Sequence, residues 1–363
     1  MDNIVAALGR SNHVPGVDLR NLEGWQLEKV FAAMQVPFPE LTELRLTSNG
    51  ETMPIIPDSF LDGSAPRLRI FTLSGIPFPG LPKLLLSATH LVELWLTNIP
   101  HSGYISPEAI VALISALSSL KALSLRFQSR RSRPARETRR LPPSKRSVIP
   151  ALNHFCFQGV IEYLEDIVIG IDTPQLNSMH IIFFHQTDFD LPRLAQFINR
   201  TPKLGIGKRF ASVSDDRSSI VRLSPGLDIE ILCGEPNWQL SSIEQLCNSF
   251  LRPLSTVVDL KIECNYSKLV WRDNVNAIEN TLWLQLLLPF TAVKNIYLSK
   301  QFAPGIAAAL QDLVEGRIME VLPSLQNIFV ENLGPSGPFR EMIGQFVATR
   351  QLSDRPIVIS DSP

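Results

Sequence analysis

Leu41-Thr42-Glu43-Leu44-Arg45-Leu46 places leucines at the first, fourth and sixth positions, and this spacing returns along the chain. It recurs as Val14-x-x-Val17-x-Leu19, Leu68-x-x-Phe71-x-Leu73, Leu91-x-x-Leu94-x-Leu96, Leu120-x-x-Leu123-x-Leu125, Leu152-x-x-Phe155-x-Phe157 and Leu176-x-x-Met179-x-Ile181. Later it comes back from Val257, Val293 and Leu325. The second half of each motif has a period of two, so Leu44 and Leu46 point to one face of a strand while Glu43, Arg45 and Thr47 point to the other.

Successive starts lie 27, 27, 23, 29, 32 and 24 residues apart, then 81, 36 and 32. Most of these fall near the roughly 20 to 29 residues of a leucine-rich repeat. One coil cannot bury its own apolar ladder, whereas a stack of coils buries it continuously. The expectation is an α/β leucine-rich repeat solenoid, a horseshoe with parallel strands on the concave face and helices or turns on the convex face. It forms a single domain over 1–363 with a basic disordered insertion at 129–147 and an irregular insertion at 204–225. One degenerate strand is expected at Gly226 to Leu232, where Leu227, Ile229 and Ile231 alternate with polar neighbours. Helices are expected between strands: Glu23 to Met34 carries Trp25, Val30, Phe31 and Met34 near helical spacing, and Ser106-Pro107-Glu108 opens another as N-cap, first-turn proline and acidic residue.

The chain is 45% hydrophobic over 363 residues, enough for an extended core, and its net charge of −1 exerts no global pull on nucleic acid or membrane. The 28 prolines fall mostly in connections, such as Val36 to Leu41 and Ile76 to Pro82, where they stiffen turns. Asp2 precedes the short apolar start, which makes a poor signal peptide, and no run reaches the length of a membrane span. An intracellular protein, cytoplasmic or nuclear, is the expectation.

Cys156, Cys233, Cys247 and Cys264 show no C-x-x-C pair and no histidine pair at zinc spacing, so neither metal nor other cofactor is expected. Cys233 and Cys264 continue the inward face of their strands as core thiols, whereas Cys156 takes an outward position and should line the inner curve. Enzyme motifs fail on spacing. Gly205, Gly207 and Lys208 lack both the interval and the Ser or Thr of a phosphate loop, and no G-x-S-x-G elbow occurs. His180 and His185 are five apart in a strand-like stretch and fall on opposite faces. No catalytic residue is assigned, and the chain reads as not an enzyme.

Two features remain. The insertion from Ser129 to Ser147 holds Arg130, Arg131, Arg133, Arg136, Arg139, Arg140, Lys145 and Arg146 against Glu137, +7 in all. Its few apolar residues cannot offset ordering entropy, so it reads first as a solvated loop, and otherwise as a localisation or acidic-partner segment. Nucleic acid is disfavoured because no aromatic residue stands there to stack on bases. The other feature is the row of outward middle positions: Asp18, Arg45, Thr72, Trp95, Ser124, Cys156, His180, Glu230, Lys261, Tyr297 and Phe329. Trp95, Tyr297 and Phe329 are of the residue types that anchor interfaces. Arg45, Trp95, Cys156, His180, Lys261, Tyr297 and Phe329 are therefore the candidate partner-binding residues, for a protein or peptide held by a monomer.

Longer phrases carry a resemblance. The segments at Ile56 to Leu68, Gly75 to Ala109, Glu162 to Met179, Glu235 to Leu260 and Glu279 to Ser299 resemble a family of leucine-rich repeat, F-box-associated proteins of mushroom-forming fungi. The resemblance implies substrate recognition within a cullin ubiquitin ligase. The repeats already begin at Val14, which leaves no room for an F-box ahead of them, so a cullin adaptor is a partner only if an F-box lies upstream. The alternative is an intracellular scaffold or sensor that meets an acidic partner through the basic loop.

Overall fold

The structure is a computed structural model that describes residues 2–9, 13–48, 50, 54–78, 81–129, 145–184, 189, 191–205, 210–215, 219–224, 226–232, 236–249, 254–264, 280–313, 319–333 and 338–361. It is an α/β architecture of mostly parallel strands flanked by helices. The chain divides into two compact units, one of Met1–Phe184 with Gln196–Leu204, the other of His185–Ala195 with Gly205–Pro363.

In the first unit, helix α1 (Asp2–Leu8), strand β1 (Gly16–Leu22) and helix α2 (Gly24–Ala33) precede β2 (Glu43–Ser48) and β3 (Ile70–Ser74). Helix α3 (Leu81–Leu85), β4 (Glu93–Ile99), α4 (Pro107–Ala116) and β5 (Ala122–Phe127) follow. After the insertion come β6 (Ser147–Val148), β7 (His154–Gly159), α5 (Ile161–Val168), β8 (Ile171–Asp172), β9 (Ser178–Phe184) and α6 (Pro192–Arg200), the last of which crosses the boundary between units. Strands β1, β2, β3, β4, β5, β7 and β9 pair in that order, every pair parallel. The short β6 and β8 pair separately.

The registers put Leu44, Phe71, Leu94, Leu123, Phe155 and Met179 side by side, and all are buried. Rings fill the space behind this ladder. Phe31, Phe60, Phe78 and Phe71 meet edge to face, and Phe127 meets Tyr163 at 4.7 Å, with the Tyr163 hydroxyl donating to the Ile105 carbonyl at 2.6 Å. Three coils turn at the end of their strand through a residue suited to positive φ: Asn21, Gly75 and Asn98 adopt φ of 55°, 73° and 50°.

The helix expectations hold at α4, where the Ser106 Oγ accepts from the Ala109 amide at 3.2 Å and Pro107 opens the helix. At α2 one residue departs from them. Leu27, Val30, Phe31 and Met34 are buried, but Trp25 is 51% exposed, because it sits at the capping turn, where its indole donates to Glu23 and Lys29 lies over its ring.

The first strands of the second unit form a meander. Strands β10 (Phe210–Asp215), β11 (Ser219–Ser224) and β12 (Leu227–Leu232) pair antiparallel, and β10 also pairs parallel with β13 (Asp259–Cys264). Two of these strands lie in the stretch expected to be irregular, 204–225. Connections as short as 216–218 and 225–226 cannot make a parallel crossover, which needs a dozen or more residues, so the chain folds straight back on itself. Helix α7 (Pro236–Ser249) precedes β13; α8 (Asn280–Leu287), β14 (Asn295–Leu298), α9 (Ala303–Gln311), β15 (Asn327–Val330), α10 (Pro338–Leu352) and β16 (Val358–Asp361) follow it. From β13 to β16 the pairing is parallel again, with Leu260, Ile296 and Ile328 buried in register. Cys247 in α7 is a buried free thiol whose pKa burial pushes far up, as for an inert core group. Cys233 lies outside the described residues.

Candidate protein-binding face

In the first unit, strand pairing lines up Asp18, Arg45, Thr72, Trp95, Ser124, Cys156 and His180 on the face away from the buried ladder. In the second, Lys261, Tyr297, Phe329 and Ser360 share one line. Glu230 does not join them. Through Arg222 and Ser212 the residue in line with Lys261 is Asp228, and Glu230 falls level with Ile220, Ser214 and Glu263. The antiparallel meander sets that register, which counting from the repeat motif misses.

Charges on both lines are largely neutralised within their own strands, between residues two apart on one face. Asp18 pairs with Arg20 at 2.7 Å, Arg45 with Glu43 at 2.6 Å, and Lys261 with Glu263 at 2.6 Å. The Arg20 guanidinium, by hydrogen bond and by charge, holds Asp18 below the ordinary carboxylate range. Exposed pairs of this kind add little stability, but they cancel free charge that could steer a ligand.

The aromatic residues stand differently. Tyr297 and Phe329 are half-buried and stack with centroids 4.7 Å apart and planes 12° from parallel, the separation of neighbouring strands. Beside them a polar ladder runs across the same sheet: Asn327 Nδ2 donates to Asn295 Oδ1 at 2.7 Å, and Asn295 Nδ2 to Asp259 Oδ1 at 2.6 Å.

Trp95 is half-buried and donates its indole N–H to Glu93 Oε2 at 3.1 Å. Its ring lies 6.0 Å from that of His154, which is two strands away. The rings can meet because the strand between them presents only Ala122 and Ser124. Ser124 is consequently buried, and so is Cys156, which occupies the outward position expected of it but does not line an open surface. His154 approaches Ser178 Oγ through Nδ1 at 3.1 Å, and burial, followed by the charge of His180, lowers its pKa. His180 is half-buried in line with Cys156.

Of the basic insertion, Lys145 and Arg146 are exposed ahead of β6, while Arg130, Arg131, Arg133, Arg136, Arg139 and Arg140 lie outside the described residues. Reading the middle outward positions alone overlooks His154, Ser178 and the Asp259–Asn295–Asn327 ladder. Each stands two residues before a middle position, and the same period of two points to them.

Among the described residues no group of three or more His, Cys, Asp or Glu is placed to hold a metal ion, and no helix is long and apolar enough to cross a membrane. No protein-family model matches the chain, and no curated protein matches it. Among solved structures, the leucine-rich repeat-containing protein LegL7 from Legionella pneumophila is similar at 14% identity and a TM-score of 0.31, over 99% of this chain and 96% of that one.

Proposed function

We propose that the chain is a non-catalytic module that binds a protein or peptide through the outward face of its parallel strands. The observation that carries this reading is the set of half-buried aromatic side chains in strand register, Trp95 in the first unit and Tyr297 with Phe329 in the second. Aromatic anchors held rigidly by a sheet lose little side-chain entropy on binding and bring large contact area. Arg45, Cys156, His180 and Lys261 complete the face, with Cys156 acting beneath its neighbours. By its resemblance to F-box-associated proteins, the bound protein is a ubiquitin-ligase substrate, recognised by a monomer in the cytoplasm or nucleus. A cullin adaptor joins where an F-box is linked.

The test is capture of cellular proteins by the immobilised chain beside its Trp95→Ala and Tyr297→Ala variants. Partners that depend on the face drop out with a variant whose thermal melt matches wild type, and cullin components among them support the ligase role. Equal recovery by all forms refutes the face as the binding surface. A second reading, an acidic partner held by the basic insertion, draws on the exposure of Lys145 and Arg146. In that case Lys145→Glu with Arg146→Glu loses the partner, and Trp95→Ala does not.

A further inference from the structure

Ser124 sits at the centre of the outward face of the first unit, is fully buried, and among the described residues its Oγ has no hydrogen-bond partner. A buried hydroxyl without a partner is destabilising, and such a group in a native fold calls for an explanation. Its surroundings are rich in donors. Trp95 and His154 close over it, Cys156 lies beside it in register, His180 follows, and Arg126, two residues on along the same face, donates through Nε to Gln158 at 3.1 Å.

We propose that turning the Trp95 ring aside opens a trough over Ser124 and Cys156, closed in this structure, and that this trough is a subsite for the carboxylate of an aspartate or glutamate side chain on a protein partner. This deepens the binding reading above and rests on it for the partner's being a protein. The small side chains Ala122, Ser124 and Cys156 leave room for a carboxylate once the Trp95 ring turns away from His154. The Ser124 hydroxyl then gains an acceptor, in a charge-assisted hydrogen bond.

The charged and titratable groups facing the trough are Glu93 on β4, Arg126 on β5, His154 and Cys156 on β7 and His180 on β9. Glu93 accepts from the Trp95 indole and keeps its negative charge, so the cations at the floor, Arg126 and the histidines once protonated, have to outweigh it. An arriving carboxylate opposes the two influences that keep His154 neutral, burial and the charge of His180. Binding therefore takes up a proton and tightens as pH falls through the histidine range.

The experiment follows histidine ring signals by NMR in the full chain titrated with N-acetylglutamate N-methylamide, its glutamine counterpart, or inorganic phosphate. Expected are saturable shifts of His154 and His180 with the glutamate compound alone, a His154 titration midpoint that moves up with it, and binding weakened about fivefold or more in Ser124→Ala. Equal shifts from the glutamine compound, tighter binding of phosphate, or unchanged affinity in Ser124→Ala each overturn the proposal. So does a clear loss of thermal stability in Ser124→Ala, which would reveal an internal partner for the hydroxyl. The probe requires no cellular partner, so a failure here and a failure of the capture experiment are separate results.

Discussion

Replacing Arg350 by Met tests whether a buried guanidinium holds the last coils of the second unit together. Arg350, in the last turn of α10, is fully buried, and its Nη2 donates to the carbonyls of Leu322, Leu325 and Pro323 at 3.1, 3.2 and 3.3 Å. Losing the donor does not orphan all three, because the Leu322 carbonyl also accepts from the Leu325 amide and the Pro323 carbonyl from Arg355. Among the described residues only the Leu325 carbonyl loses its one donor. That loss costs about 1 to 3 kcal/mol, and losing the charge-assisted bonds to the Leu322 and Pro323 carbonyls, which keep their other donors, adds to it. Against this, methionine relieves the desolvation that lowers the Arg350 pKa and leaves its Nε without a partner, while filling much of the volume of the stem. The net expectation is a loss of about 2 to 3 kcal/mol, read by urea unfolding with far-UV circular dichroism and by faster hydrogen exchange at the Val358 amide, which donates to Gln326 across the neighbouring strands. A loss below about 1 kcal/mol, or a gain, would show that desolvation outweighs the carbonyl clasp and refute the reasoning.

Three further outcomes are expected. Leu94→Ala removes a fully buried ladder side chain and should cost about 2 to 5 kcal/mol in the same unfolding assay, whereas Trp95→Ala, on the opposite face, should cost far less. Gly75→Ala should destabilise more than a typical surface change, because φ is 73° there and a Cβ would overlap the Ser48 carbonyl oxygen; an unchanged melt would mean that this turn relaxes freely. His154, with its pKa lowered in the fold, makes stability fall as pH drops below 6.5, where the unfolded chain takes up the proton first, and the fall stops once the folded pKa is passed. His154→Gln should flatten that stretch of the stability–pH curve, and an unaltered curve would assign the slope to other groups.

The parallel ladder was legible because one apolar period fixes which side chains face inward, and the register then follows from burial. Leu44, Phe71, Leu94 and Ile328 needed nothing more. Strands β10 and β11 were not legible, since Phe210 to Ser224 carries no Leu-x-x-Leu-x-Leu signal and its pairing is set by the short connections around it. At the candidate face the line of residues was readable, but their accessibility was not. The burial of Ser124 and Cys156 comes from Trp95 and His154 reaching toward each other across an intervening strand, a diagonal contact that a strand-by-strand reading cannot express.

Arg200 and Arg350 perform the same act in separate units. Each sits near the end of a helix and reaches carbonyls roughly one coil earlier in the chain: Arg200 those of Val168 and Ile171, with Asp172 beside them, and Arg350 those from Leu322 to Leu325. Such a reach sets the unit of inheritance for this fold. A duplication or deletion that cuts between an arginine and its carbonyls leaves an unsatisfied cation on one side of the cut and bare acceptors on the other. One that spans the whole interval keeps every donor with its acceptors, so a lineage of such chains should change length in steps of about one coil, with the breakpoints falling outside these clasps.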